Sequence, residues 1–416
     1  MGKAAHSVPC TFTLTETEAL CTLTPTTLIS AAMVVKITPK NNRLLGRHSL
    51  PSCSASPLAK LLRYPPGFRL GEPRSSSLTS HGLVVEDMFR VYVTGHVPSP
   101  HTLNPMVTPH VVSLENDLLS LKLIPSEGGR IASLRSRLTE LEFLTQSIRT
   151  GPLPQPSLDA LFQHGPSAGI EECLPTVGPG PAQGGLVPDH GDFWQIPWKV
   201  LACTDGLLRV SADGFSRTLR FTKDLALHDS TLLVRYRVEN IGAAPQSFLY
   251  ACHPLFAVSC GDRILLPREV RELALNYSRN GRIGARGSIV PWPVTASGIR
   301  LDVTEGPEAG TAEMFYTARL NEGLCGIWRR ATGEVLEVSF DTARLPYLGL
   351  WICYGGWPDQ GDGPRQYAVA LEPTTSACNT LAEAQQIGSA VELGIGQISE
   401  WQIRFEIKAA GLLGSQ

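Results

Sequence analysis

At 416 residues the chain is long enough for one large domain or two ordinary ones, and 43 % hydrophobic against 18 % charged content points to a globular body. A formal net charge of -2 gives no basis for binding nucleic acid or an anionic membrane. With Gly 39 and Pro 32, the composition suits a fold of many turns and excludes a helical bundle.

Residues 1–105 carry ten Lys and Arg against five Asp and Glu, whereas the remainder carries 26 against 33. This early segment is rich in Ser, Thr, Pro and Leu and shows neither alternation nor a helical period, a composition typical of disorder. It reads either as a disordered leader or as sequence ahead of a natural start at Met106. Both readings leave 106–416 as the folded domain. The apolar stretch 27–35 is short, lies late and lacks a charged region before it, so it does not read as a secretory signal. No run approaches the roughly 18 apolar residues of a membrane span, and a cytoplasmic location is expected. The ten cysteines form no C-x-x-C pair and no zinc-like spacing, and read as buried free thiols.

From Val111 the pattern changes to a period of two. Leu119, Leu121 and Leu123 alternate with Ser120 and Lys122, and Leu232, Val234, Tyr236 and Val238 share a face opposed by Arg235, Arg237 and Glu239. The stretch 299–303 repeats the theme, and Trp401, Ile403, Phe405 and Ile407 alternate with Gln402, Arg404, Glu406 and Lys408. Such alternation predicts strands with one buried and one wet face. Turn residues separate them, as at Asn240-Ile241-Gly242 and Ala331-Thr332-Gly333. Helices are predicted only at 157–164 and 379–386. The expected fold class is all-β, a large antiparallel β-sandwich with few short helices.

Several catalytic signatures are missing. Gly178-Pro179-Gly180-Pro181 places prolines where a phosphate loop needs N–H donors, and no G-x-S-x-G elbow occurs. Asn276-Tyr277-Ser278 fits a glycosylation sequon, which matters only in a secreted protein. What remains are four polar stretches beside Gly or Pro, where a sandwich presents its binding loops. They are Gly169-Ile170-Glu171-Glu172-Cys173-Leu174-Pro175-Thr176, Pro188-Asp189-His190-Gly191-Asp192-Phe193-Trp194, Tyr250-Ala251-Cys252-His253-Pro254-Leu255-Phe256, and Tyr367-Ala368-Val369-Ala370-Leu371-Glu372-Pro373-Thr374-Thr375. A buried unpaired carboxylate such as Glu372 is costly and therefore informative. His110 and His228 read as structural. Trp194, Trp198, Trp351 and Trp357 read singly as core, although aromatic faces also suit a sugar ring.

The order Gly128-Gly129-Arg130-Ile131-Ala132-Ser133-Leu134, His190-Gly191, His253-Pro254, Leu371-Glu372-Pro373 resembles the galactose mutarotase-like (aldose 1-epimerase) family over about residues 111–407. The resemblance implies that family's large antiparallel supersandwich and a catalytic set of His190, His253 and Glu372. The family's substrate-binding arginine has no counterpart near residues 171–178, which leaves the sugar open. Glu171, Glu172 and Asp192 are the candidate sugar contacts, with Trp194 and Trp357 for stacking. The leading expectation is an enzyme interconverting anomers of an aldose, with a small-molecule sugar as partner and no cofactor. In this reading Glu372 is ionised at neutral pH and takes the anomeric proton, and His253 is the acid toward the ring oxygen. A non-catalytic sugar-binding or sensing protein is the second reading. A metal site at His190, Asp192, His253 and Glu372 is the third.

Overall fold

Strand alternation of the predicted kind produces two stacked sheets whose inner faces share one apolar core. The computed structural model describes residues 10–12, 111–147, 153, 155–204, 206–359 and 364–409. Except for Cys10–Phe12, the expectation for residues 1–105 lies outside the described residues.

The first sheet has eleven strands. From one edge they are Cys10–Phe12, Val112–Glu115, Leu119–Ile124, Arg130–Ser136, Gly169–Cys173, Ala251–Phe256, Tyr367–Thr374, Tyr347–Tyr354, Thr311–Tyr316, Glu272–Ser278 and Ile289–Pro291. The second has eight: Arg263–Leu265, Leu324–Trp328, Val335–Phe340, Ile398–Lys408, Thr231–Asn240, Leu219–His228, Leu207–Asp213 and Lys199–Thr204. Neighbouring strands are antiparallel, as between Leu219–His228 and Thr231–Asn240 or Thr231–Asn240 and Ile398–Lys408. The inner faces meet through side chains such as Leu121, Leu134, Phe221, Val234, Tyr236, Ile403 and Phe405, all buried in one cluster. The alternation at 119–123, 232–239 and 401–408 is therefore the core-facing pattern of three strands.

Two expectations need correction. The stretch 299–303 is not a strand. Gly298 turns the chain, Thr295 N–H donates to Ile299 O, and only single bridges, Val294 with Arg300 and Arg263 with Val303, remain. Its alternation instead places Asp302 where Arg263 and Arg300 both pair with it. The helix at 157–164 is reduced to one 3-10 turn, Phe162–His164, because Asp189 rather than a preceding carbonyl accepts the Phe162 N–H. The second predicted helix is present as Leu381–Gln386, opened by a capping box between Thr380 and Glu383.

The two sheets are joined by more than apolar contact. Lys223, fully buried, projects inward from Leu219–His228 and donates to the Gly129 carbonyl at 2.7 Å and to Glu172 Oε1 at 3.3 Å. Glu172 Oε2 accepts from the Tyr250 hydroxyl at 2.8 Å, and the Lys223 ammonium lies 4.6 Å from the centre of the Trp198 ring. Both glycines of the Gly128-Gly129 turn have positive φ. A Cβ at Gly128 would come within 2.6 Å of the Trp194 main chain, and one at Gly129 within 2.7 Å of the Trp198 ring. The sequence pair is glycine because this turn carries the 193–198 segment directly on its backbone.

Among the described residues, no helix is long and apolar enough to cross a membrane. Among the described residues, Cys173, Cys252, Cys325, Cys353 and Cys378 are free and buried, Cys260 is free and exposed, and Cys203 is disulfide-bonded rather than the free thiol expected. Removing Lys223 strands a buried carboxylate, a loss on the order of 3–5 kcal/mol. Lys223→Met should therefore lower the urea midpoint strongly, and adding Glu172→Gln should restore most of it.

Candidate active site

The site follows from strand register. Within Gly169–Cys173, consecutive side chains point to opposite faces of the sheet. Glu172 turns inward to Lys223, so Glu171 turns outward. Glu171 pairs in register with His253. On the other side of that strand Ala251 pairs with Thr374 and Leu255 with Ala370, a register that sets His253 opposite Glu372. Glu372 in turn faces Gly349, and Gly349 faces Tyr316. Glu171, His253 and Glu372 thus form one row across the outer face of the larger sheet. Cross-strand neighbours of this kind lie close enough for their side chains to interact.

His190 arrives from a loop rather than a strand. It adopts a left-handed φ of 57°, followed by Gly191 at 77°. A side chain at Gly191 would meet the Leu174 carbonyl at 2.0 Å, so only glycine allows the turn to close against the end of the Gly169–Cys173 strand. The His190 and His253 ring centres are 5.3 Å apart at 74°, and His253 Nε2 lies 3.7 Å from Glu372 Oε1. That separation exceeds hydrogen-bond reach.

His190, His253 and Glu372 line one cleft of about 460 Å³, a size suited to a small ligand. Its walls include Phe162, Trp351, Trp357, Tyr277 and Asn276. The Tyr277 and Trp351 rings lie 6.2 Å apart at 33° and form an aromatic side wall. Trp351 Nε1 donates to Gln366 Oε1 at 2.6 Å, while the Tyr277 hydroxyl donates to Asp359. Arg286, the arginine of this wall, is ion-paired with Glu383 at the start of the short helix.

Burial dominates the electrostatics. It pushes the Glu372 carboxyl up to about 8. The carboxyl is then only about one-tenth ionised at pH 7, contrary to the expectation of an ionised base. His253 is held well below the ordinary histidine range, first by burial and then by repulsion from His190. Glu171 is also raised to about 8 by burial, which outweighs the nearby Arg130.

Five side chains named from sequence occupy different positions from the cleft trio or only one of its walls. Trp357 lines the cleft. Glu171 shares the row but is buried and is not part of the cleft lining. Glu172 points into the inter-sheet core, where its lysine partner claims it. Asp192 is buried and accepts the N–H groups of Phe215 and Ser216, each at 2.9 Å, so it shapes a turn. Trp194 is 1 % exposed and packs edge-on against Phe162, leaving no face for a sugar. Phe162, Asp189, Tyr277 and Arg286 were missed. Only Asp189 carried a hint, being next to His190. Among the described residues no His, Cys, Asp and Glu group has the arrangement of a metal site.

No family model and no curated protein sequence matches the chain. Its structure is similar to that of Slr1438 from Synechocystis sp. PCC 6803, at 17 % identity and a TM-score of 0.54, covering 74 % of this chain and 99 % of that one. It is similar to a candidate aldose 1-epimerase from Escherichia coli K12, at 17 % identity and 0.54, covering 72 % and 99 %. A galactose mutarotase-like protein from Lactobacillus casei ATCC 334 gives 16 % identity and 0.52, covering 72 % and 100 %. The chain has the galactose mutarotase-like β-sandwich fold.

The raised Glu372 carboxyl has a direct spectroscopic consequence. The infrared band of a protonated carboxylic acid, taken as the difference between wild type and Glu372→Gln, should persist at pH 7 and vanish as pH rises through about 8. A difference band already lost at pH 5 would contradict the burial argument.

Proposed function

We propose that the protein interconverts the anomers of an aldose by acid–base opening of the sugar ring. The observation that carries this reading is the convergence of Glu372, His253 and His190 on one aromatic-walled cleft, with His253 and Glu372 in register on adjacent strands. Two of the three lie on the rigid centre of a sheet, which favours the fixed geometry that proton transfer requires.

Anomer exchange requires loss of the proton on the anomeric hydroxyl and gain of one by the ring oxygen. The C1 carbonyl forms as the C1–ring-oxygen bond breaks. Rotation about the C1–C2 bond, followed by the reverse transfers, gives the other anomer. Glu372, once deprotonated, is the base for the anomeric proton. A histidine on the neighbouring side serves the ring oxygen, and His253 and His190 both border that space. Trp351, Trp357 and Tyr277 offer flat apolar surface to the sugar's C–H face.

The same features support a second reading. A Glu372 that is mostly protonated at neutral pH is a better hydrogen-bond donor than base, as a sugar-binding or sensing protein would use it. The two readings separate in one experiment. Anomer exchange is followed by polarimetry or NMR over a panel of free and phosphorylated aldoses. For the enzyme, kcat/KM should climb as pH rises toward about 8, because deprotonation of Glu372 creates the base. Glu372→Gln should then lower turnover by roughly 10²–10⁴-fold with sugar binding largely kept. Sugar binding by wild type with exchange no faster than the spontaneous rate would decide for the binding protein.

A further inference from the structure

The two histidines of the cleft are held in different ways. His253 Nδ1 has no hydrogen-bond partner, and the ring is steadied by packing alone, with Phe162 edge-on at 5.3 Å. His190 is fixed from three sides. Its Nδ1 lies 2.8 Å from Asp189 Oδ1, its ring stacks on Phe162 at 3.9 Å and 8°, and its main-chain N–H donates to Val177 O at 2.6 Å.

Asp189 is itself anchored. Its Oδ2 accepts the Phe162 N–H at 2.9 Å, and its main-chain oxygen accepts the Trp194 indole N–H at 2.8 Å. Both carboxylate oxygens are therefore occupied, one by the backbone of the stacking residue and one by the imidazole. Burial alone would raise this carboxyl, but the His190 ring and the Phe162 N–H outweigh it and hold it below the usual carboxylate range. An anion facing Nδ1 requires a proton on Nδ1. The remaining ring nitrogen, Nε2, is then the exchangeable site toward the cleft that His190 lines.

We propose that Asp189 is a positioning residue that locks His190 in the Nδ1–H form and aims Nε2 at the ring oxygen of the bound sugar. This rests on the anomer-exchange reading above and assigns the two proton transfers within it. The anomeric proton goes to the Glu372 carboxylate. As the C1–ring-oxygen bond breaks, its electron pair goes to the ring oxygen, which takes the proton carried on His190 Nε2. The reverse steps return both protons, so nothing is consumed. Asp189 stabilises the imidazolium that holds this proton before the ring opens, faces the neutral Nδ1–H ring in the open-chain state, and stays ionised throughout.

The test uses the full-length chain labelled with ¹⁵N-histidine. In wild type, the His190 ring, assigned as the histidine signal that His190→Gln removes, should show a protonated Nδ1. In Asp189→Asn the side-chain carbonyl can still accept the Phe162 N–H, while the amide N–H faces Nδ1, so the proton should move to Nε2. The same variant should lose about 10²-fold or more in kcat with KM changed less than about threefold. A wild-type His190 protonated only on Nε2 would overturn the proposal without any variant. So would an Asp189→Asn protein whose tautomer and kcat are unchanged. If wild type shows no anomer exchange, the function fails on its own, and the tautomer still decides whether Asp189 sets the ring.

Discussion

Adjacent residues in a strand face opposite sides of a sheet, and Glu171 and Glu172 are divided by that rule. One carboxylate goes to the interior and the other to the row that continues through His253 and Glu372. The interior member is tolerated because Lys223 crosses from the other sheet to meet it, with Gly129 and Tyr250 taking up the remaining hydrogen-bonding capacity. That ionic contact fixes the facing of the Gly169–Cys173 strand. A slip of one residue would bury Glu171 against the apolar core and turn Glu172 out, and the register of His253 would follow. The cleft thus inherits its geometry from a charge pair on the far side of the same sheet.

The cleft itself relies on the opposite economy. Glu372 sits between alanine-bearing and apolar positions with no cation facing it, and His253 has one ring nitrogen unpartnered. Both are neutral forms favoured by a dry environment. Such groups exchange protons with a ligand more readily than a permanent ion pair would, because neither is committed to a partner in the protein. Asp189 and His190 supply the contrasting pair, with hydrogen bonds defining every atom that faces the carboxylate.

Much of the fold was legible because a period of two is a strong pattern and the core selects for it. Leu119 to Leu123, Leu232 to Val238 and Trp401 to Ile407 each mark a strand whose inner face is apolar. The pattern misled at 299–303, where alternation came from a loop wrapped around Asp302 with two arginines. The helix expected at 157–164 failed for a separate reason, a tertiary acceptor taking the Phe162 N–H that a helix would have used. For the site, the polar stretches gave His190, His253 and Glu372 but could not tell inward from outward for two consecutive glutamates. Trp194 looked like a stacking platform, yet two glycines far upstream bring the 193–198 segment so close that the indole is sealed in. Tyr277 and Arg286 were illegible because nothing in their local sequence, the sequon at Asn276 included, points to the cleft that their strand and loop reach.

The Tyr367–Thr374 strand lies in the middle of the larger sheet, inserted between Ala251–Phe256 and Tyr347–Tyr354, although it is nearly the last strand in the chain. During synthesis, the strands on the His253 side can pair among themselves long before residue 367 leaves the ribosome. Until then Ala251–Phe256 keeps an open edge of unpaired N–H and C=O groups, and the two halves of the sheet have no common seam. Closing that seam is a late, long-range event of the kind that slows folding. It is also the event that delivers Glu372 opposite His253, so the chain acquires its central carboxylate only when its largest sheet becomes continuous.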